Sequence, residues 1–242
     1  MNRITTLRQI GITCVATIAL ACTLSACGTS SAENKPARVR YLNLLGDHTT
    51  VNVTLDAKPV ATGVAFQTVS NYYQTGSNNY AAVISNTAGT SLSSYTQGLG
   101  QLHYTVYLYG TAAEVKHLNV SDEPLVLKDG TFTTRILVAS DTLTGHDLYV
   151  TAADTDIATA TPNAAVTLPA TLSAYTTVLD AGSFRVRITA TGTKNVVFDR
   201  TLDFASKSAD TFVLYADPGV TTPSVLRVGQ AEGAVMLFPA TP

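Results

Sequence analysis

The side chains that could support acid–base, nucleophilic or metal chemistry are few: four histidines, three cysteines and scattered acids in 242 residues. His48 follows Asp47 and His146 precedes Asp147. A metal site would need such His/carboxylate pairs to converge on one ion. The two pairs lie far apart with no flanking ligand cluster, so they read as exposed loop polars, and His103 and His117 are isolated. A nucleophilic serine would want a sharp turn of the G-x-S-x-G kind. The nearest text, Gly89-Thr90-Ser91-Leu92-Ser93, lacks the second glycine. Asp122-Glu123 reads as a pair of adjacent loop acids, and Asp154-x-Asp156 lacks the further acids and the glycine of a calcium loop. No glycine-rich phosphate loop, C-x-x-C or H-E-x-x-H occurs. No catalytic residue, metal site or cofactor is expected.

Tyrosine is the one residue type whose distribution suggests recognition. Tyr72, Tyr73, Tyr80, Tyr95, Tyr104, Tyr107 and Tyr109 all fall in the first half of the chain. Aromatic side chains anchor protein interfaces and offer an apolar face with a polar tip. Core packing accounts for most of them, and in the run 104–109 the rings of Tyr107 and Tyr109 share one face. Tyr72, Tyr73 and Tyr95 are the candidates for a binding surface, near the Ser/Thr-rich stretch 85–101.

Composition sets the surroundings of these residues. Apolar residues make up 45% and charged residues 13%, about half the usual ~25% share, so Thr, Ser, Asn and Gln must supply the polar surface. β-Branched and aromatic side chains favour strands. The net charge of −2 comes with no basic block, which excludes the Lys/Arg footprint of a nucleic-acid binder.

The cysteines are better placed than the histidines. Arg3 and Arg8 precede an apolar run over 10–24, which is the length of a signal h-region and short of the ~20 apolar residues of a spanning helix. Leu24, Ser25, Ala26 and Cys27 follow, an order that resembles the lipobox of bacterial lipoproteins. The resemblance implies cleavage between Ala26 and Cys27, a diacylglycerol thioether on Cys27 and an acylated amino group. An ordinary secretory signal with an incidental cysteine is the alternative. Cys14 and Cys22 would leave with the signal, so the mature chain would hold one cysteine, at its first residue. A lone thiol in an exported protein invites mispairing, and lipidation removes that anomaly. Residue 28 is Gly rather than Asp, which resembles the outer-membrane sorting pattern if the source has two membranes. The expected segments are 1–26 as signal peptide, 27–36 as lipidated cysteine and flexible tether, and 239–242 as a short tail.

Between the tether and the tail the sequence reads twice. VRYLNLLGD (39–47) sets against TRILVASDT (134–142), with Arg40 opposite Arg135. VNVTL (51–55) matches LYVTA (148–152), and PVATGVAF (59–66) echoes IATATPNAAV (157–166). Tyr73 falls opposite Tyr175, and NNYAAVIS (78–85) opposite GSFRVRIT (182–189). HYTVYLYG (103–110) matches TFVLYADP (211–218), and EPLVLKDG (123–130) resembles PSVLRVG (223–229). The expected fold is therefore all-β, with two tandem immunoglobulin-like β-sandwich domains over 37–130 and 131–238, each of about seven strands. Val51, Val53 and Leu55 share a face, and Phe184, Val186 and Ile188 point inward with Arg185 and Arg187 outward. Asp56 to Lys58 makes a hairpin turn, with Pro59 at a sheet edge.

These residues resemble the DUF4397 family, a domain of unknown function found in bacterial exported proteins. The family's Ala-Arg-Val-Arg-aromatic start falls at 37–41, its Val-Asp-Val at 51–53, its hairpin at 56–59, its Val-Ala-aromatic at 65–66 and its Ser-x-Tyr at 70–72. The chain departs from the family at Asn43-Leu44-Leu45-Gly46 and at Thr75-Gly76-Ser77. The resemblance implies a fold and a cell-surface setting, and no activity. The function expected is a lipid-anchored envelope protein that acts as a non-enzymatic binding or structural module for protein or glycan. The alternatives are an envelope hydrolase without a recognisable local motif, or an accessory to a polymer or pilus exporter.

Overall fold

A computed structural model describes residues 35–47, 49–122, 125–216, 222–230 and 235–238. Residues 35–242 belong to one compact unit. The first half contains β1 (Ala37–Leu45), β2 (Val51–Leu55), β3 (Lys58–Val64), β4 (Tyr73–Thr75), β5 (Asn78–Asn86), β6 (Ser91–Leu99), β7 (His103–Thr111) and β8 (Glu114–Ser121). The second contains β9 (Thr131–Ala139), β10 (His146–Thr151), β11 (Ala164–Val166), β12 (Thr171–Leu172), β13 (Leu179–Asp180), β14 (Gly182–Ala190), β15 (Val196–Phe204), β16 (Ser208–Tyr215), β17 (Ser224–Gly229) and β18 (Val235–Phe238). The described residues are all-β, as composition predicts.

Four sheets result, ordered β4-β1-β7-β8, β3-β2-β5-β6, β12-β9-β16-β17-β18 and β11-β10-β14-β15, with β13 also on β9. In each half the first strand lies parallel to the strand that closes the sandwich. Arg40 pairs with Thr105 in one half, and Arg135 with Thr211 in the other. The two-sheet plan thus repeats with the same strand order, eight strands for eight, plus β12 and β18, and with the same register in the parallel pair. The repeat places β8, not 123–130, opposite β17, since Val120 pairs with Thr105 and Val228 with Thr211. The sequence match failed there because the two stretches share only a short run of three or four apolar residues. The tyrosine alignment also shifts by one residue. Tyr41 donates its backbone N–H to Ser70 Oγ, and Ile136 does the same to Ser173 Oγ, so Tyr72 is the counterpart of Tyr175.

Each half buries its own core. Val39, Tyr41, Val51, Val53, Leu55, Ile84, Val106 and Leu108 fill the first, confirming the shared face of β2. Phe132, Ile136, Leu148, Val186, Ile188, Phe198 and Phe212 fill the second, with Phe184 packed against them. A third cluster lies between the halves, where Leu42, Leu44, Tyr107 and Tyr109 meet Leu137, Val213, Tyr215 and Leu226. Strands β1, β7, β9 and β16 are therefore covered on both faces, which is why they read as near-continuous apolar runs.

Two local expectations meet the structure directly. Asp56 (φ 47°) and Ala57 (φ 62°) form the two-residue β2–β3 turn, and Pro59 sits on β3, an edge strand. Arg187, expected to face solvent, is only 3% exposed on the outer face of its sheet. The chain after β10 crosses that face, since Arg185 donates to the carbonyl of Ala153 at 3.3 Å and Lys194 to that of Ala160 at 2.7 Å.

Candidate functional site

The strands covered on both faces carry two charges that must be answered inside. Arg40 and Arg135 sit at equivalent positions of β1 and β9 and are 1% and 4% exposed. A buried guanidinium without a partner is costly, so the fold has to bring an anion to them. Asp122, just after β8 and 4% exposed, is that anion. Its Oδ1 accepts from Arg135 Nη2 at 3.0 Å, and its Oδ2 lies 3.6 Å from Arg40 Nη2. Oδ2 also accepts from the hydroxyls of Thr105 and, at 3.3 Å, Tyr72. Arg40 further donates Nε to Thr105 Oγ1 at 2.8 Å and Nη2 to the carbonyl of Gly229 at 2.8 Å, while Arg135 donates Nε to Thr211 Oγ1 at 2.9 Å.

Each arginine is capped by the Ser-x-Tyr tyrosine of its own half. Arg40 Cζ stands 4.6 Å from the Tyr72 ring centroid, and Arg135 Cζ stands 4.4 Å from that of Tyr175. The halves differ at one place. Where Tyr72 donates to Asp122, the Tyr175 hydroxyl instead accepts from Gln230 Nε2 at 2.9 Å. One carboxylate thus serves both arginines. Asp122 is therefore not a solvated loop acid as its Asp-Glu context suggests. A second ion pair, Arg227 Nη2 to the buried Asp210 Oδ2 at 2.9 Å, lies on β17 and β16.

Tyr72 also borders open space. With Tyr73 it lines a cleft of about 380 Å³ between β3 (residues 60–64) and the segment 68–73. Thr62 and Asn71 are exposed there, whereas Ser70 is occupied by Tyr41 and by the Asn71 carbonyl. No ionised side chain lines this cleft. The Tyr72 phenol is pushed up to about 12, by burial first and then by the negative charge of Asp122, so near neutral pH it is an uncharged hydrogen-bond donor. The cleft can hydrogen-bond and stack, and it holds no group poised to transfer a proton.

Of the three tyrosines singled out by the sequence, Tyr72 and Tyr73 meet in this cleft. Tyr95 lies apart on β6, its ring stacked on His117 with centroids 3.6 Å apart. Burial pushes the Tyr95 phenol up and the His117 imidazole down. The remaining described histidines are dispersed. His103 tilts against Tyr72 at 5.4 Å, and burial and then Arg38 hold its imidazole below the usual range. His146, expected on an exposed loop, is 4% exposed in β10 with Nδ1 2.8 Å from the Thr144 carbonyl, and Asp147 beside it is 5% exposed. Asp156 spends a carboxylate oxygen on the backbone N–H of Ala158 at 2.9 Å. Among the described residues no three His, Cys, Asp or Glu side chains gather around a common point. Leu24, Ser25, Ala26 and Cys27, and also His48, lie outside the described residues.

Asp122 is the residue that reading the sequence missed. The usable signal was the pair of arginines at matched positions in apolar strands, since each demanded a buried counter-ion.

Residues 37–144, from β1 through β9, match the family model described as domain of unknown function (DUF4397). No curated protein matches the chain. Among solved structures, it is similar to the CBM26-family module CBMbc of Eubacterium rectale Amy13K, in complex with maltoheptaose, at 13% identity over 86% of this chain and 98% of that one, with a TM-score of 0.25. It is also similar to a putative cell adhesion protein from Bacteroides ovatus ATCC 8483, at 10% identity over 86% of this chain and 99% of that one, with a TM-score of 0.24. Likenesses this low carry no argument about this chain.

Proposed function

We propose that this protein is a non-enzymatic interaction module of a bacterial cell envelope, made of two tandem DUF4397-type domains and held to a membrane by lipid on Cys27. The observation that carries the reading is where the charged groups go. Arg40, Arg135, Asp122 and Asp210 are buried and all spent on joining strands and halves. The cleft that Tyr72 and Tyr73 line is neutral and suits hydrogen bonding to a polar uncharged surface such as a glycan or an envelope protein. The repeated arginine, threonine and Ser-x-Tyr contacts support common descent of the two halves. The lipobox order at 24–27 supports the anchor.

Fractionation tests the anchor, and glycan binding tests the cleft. Cys27→Ser should move the protein from the membrane fraction to the soluble fraction. Retention of the variant in the membrane would refute lipidation there. The full chain should co-sediment with purified cell-wall glycan, and Tyr73→Ala should abolish this without lowering the melting temperature by more than a few degrees. Binding that survives Tyr73→Ala would remove the cleft from the reading.

A further inference from the structure

Four edge strands of these sheets are seven residues or longer: β3, β6, β8 and β15. An open edge offers unpaired backbone donors and acceptors to any extended chain, and proteins ordinarily block it with charge or proline. β3 carries Lys58 and Pro59, β8 carries Glu114 and Lys116, and β15 carries Asp199, Arg200 and Asp203. β6, Ser-Leu-Ser-Ser-Tyr-Thr-Gln-Gly-Leu, carries neither charge nor proline over nine residues. The contrast with β15 is internal, because the two strands hold the same place in their halves. One is guarded by three charges and the other by none.

We propose that β6 is a dimerisation edge, which pairs antiparallel with β6 of a second copy of this chain. The geometry of the strand supports this. The Gly98 carbonyl accepts from Asn119 Nδ2 of β8 at 3.2 Å, so the backbone groups of Gly98 point away from β5. Along a strand that orientation recurs every second residue, which turns the N–H and C=O of Thr96 and Ser94 outward as well. Both residues are exposed, and their side chains are small. A two-fold axis at Tyr95 sets Ser94 of each copy against Thr96 of the other. Each pair exchanges two backbone hydrogen bonds, and two four-stranded sheets become one.

A second copy is the occupant that this edge favours. On a two-fold axis any charged edge residue meets a like charge close to its own copy, which β15 could not avoid and β6 does. In this register Ser94 meets Thr96, Leu92 meets Gly98 and Tyr95 meets its own copy, uncharged on both sides. The pairing leaves the Tyr72/Tyr73 cleft, on the opposite edge of the same sheet, open in both copies.

Sedimentation velocity on the full chain tests the proposal. The protein should sediment as a concentration-dependent dimer at up to about 100 μM, where even a weak pair is substantially formed. Thr96→Lys should weaken that dimer at least about tenfold by placing two ammonium groups diagonally across the axis. Thr201→Lys, at an exposed position of the equivalent edge β15, should leave it unchanged. Thermal unfolding of both variants verifies that each remains folded. A monomer throughout the concentration range would overturn the proposal, as would a dimer equally sensitive to both substitutions or indifferent to Thr96→Lys.

Discussion

Asp122 ties the two halves of this molecule together through one carboxylate. It neutralises one arginine from each half while accepting the hydroxyls of Thr105 and Tyr72. Removing one member of a buried ion cluster costs far more than the cluster contributes, because the remaining charges stay desolvated. Asp122→Ala leaves two guanidinium groups facing each other across the interface. The expected loss is about 3–5 kcal/mol of unfolding free energy, read as a lower denaturant midpoint at an unchanged m-value. A loss below about 1 kcal/mol, typical of exposed pairs, would show that water reaches the cluster. The sequence displayed the two arginines and concealed the acid. Arg40 and Arg135 align because they sit in matched apolar runs. Asp122 has a partner 13 residues away and another in β1, and its immediate neighbours, Ser121 and Glu123, are those of a loop. Local context cannot show that the residue just past a strand end turns its carboxylate onto two arginines from distant strands.

Elements were legible where the signal is local. The β2–β3 turn declares itself through Asp56, the lysine and proline after it, and the alternation of Val51, Val53 and Leu55 before it. The exchange of Tyr72 for Tyr73 has the opposite origin. β4 is three residues long, and its register against β1 is fixed by Ser70 Oγ meeting the Tyr41 N–H, a contact that no periodicity encodes. The same turn yields a prediction. A two-residue hairpin turn of type I′ needs positive φ at both central residues and favours Gly at the second. Ala57 holds φ 62° at that position, a conformation that costs a residue with a Cβ about 1–2 kcal/mol. Ala57→Gly relieves this, while the added freedom of the unfolded chain takes back about 0.4–1 kcal/mol. The strain term is the larger. The net gain should be about 0.5–1 kcal/mol, seen as a raised melting temperature. Asp56 should stay, because its Oδ1 accepts the Ala81 N–H at 2.8 Å and ties the turn to β5.

For the whole molecule, the buried tyrosines and histidines set the pH limits, and the shared interface makes the halves respond together. Burial raises the phenols of Tyr41 and Tyr95 in and beside the first core, and of Tyr107 and Tyr109 between the halves. It also raises Tyr175 over Arg135, and Tyr72 to about 12. A group with its folded pKa above its unfolded value of ~10 holds its proton more tightly when folded. That stability is complete below about pH 10 and is lost as pH climbs through the folded values. Burial lowers His103, His117 and His146, so their contribution is complete above about pH 6.5 and is lost as pH falls below it. Stability should thus be flat between about pH 7 and 10 and fall on both sides. The alkaline limb should be the steeper, because more groups titrate there. The third cluster and Asp122 join the two sandwiches, so the alkaline loss should occur as one cooperative step. Tyrosinate absorbance at 295 nm and the β-sheet circular dichroism should then change together above about pH 10. Early ionisation of these phenols without loss of circular dichroism would show them to be solvated. Two separated steps would show that the halves unfold independently, and that the buried charge cluster between them does not couple their stabilities.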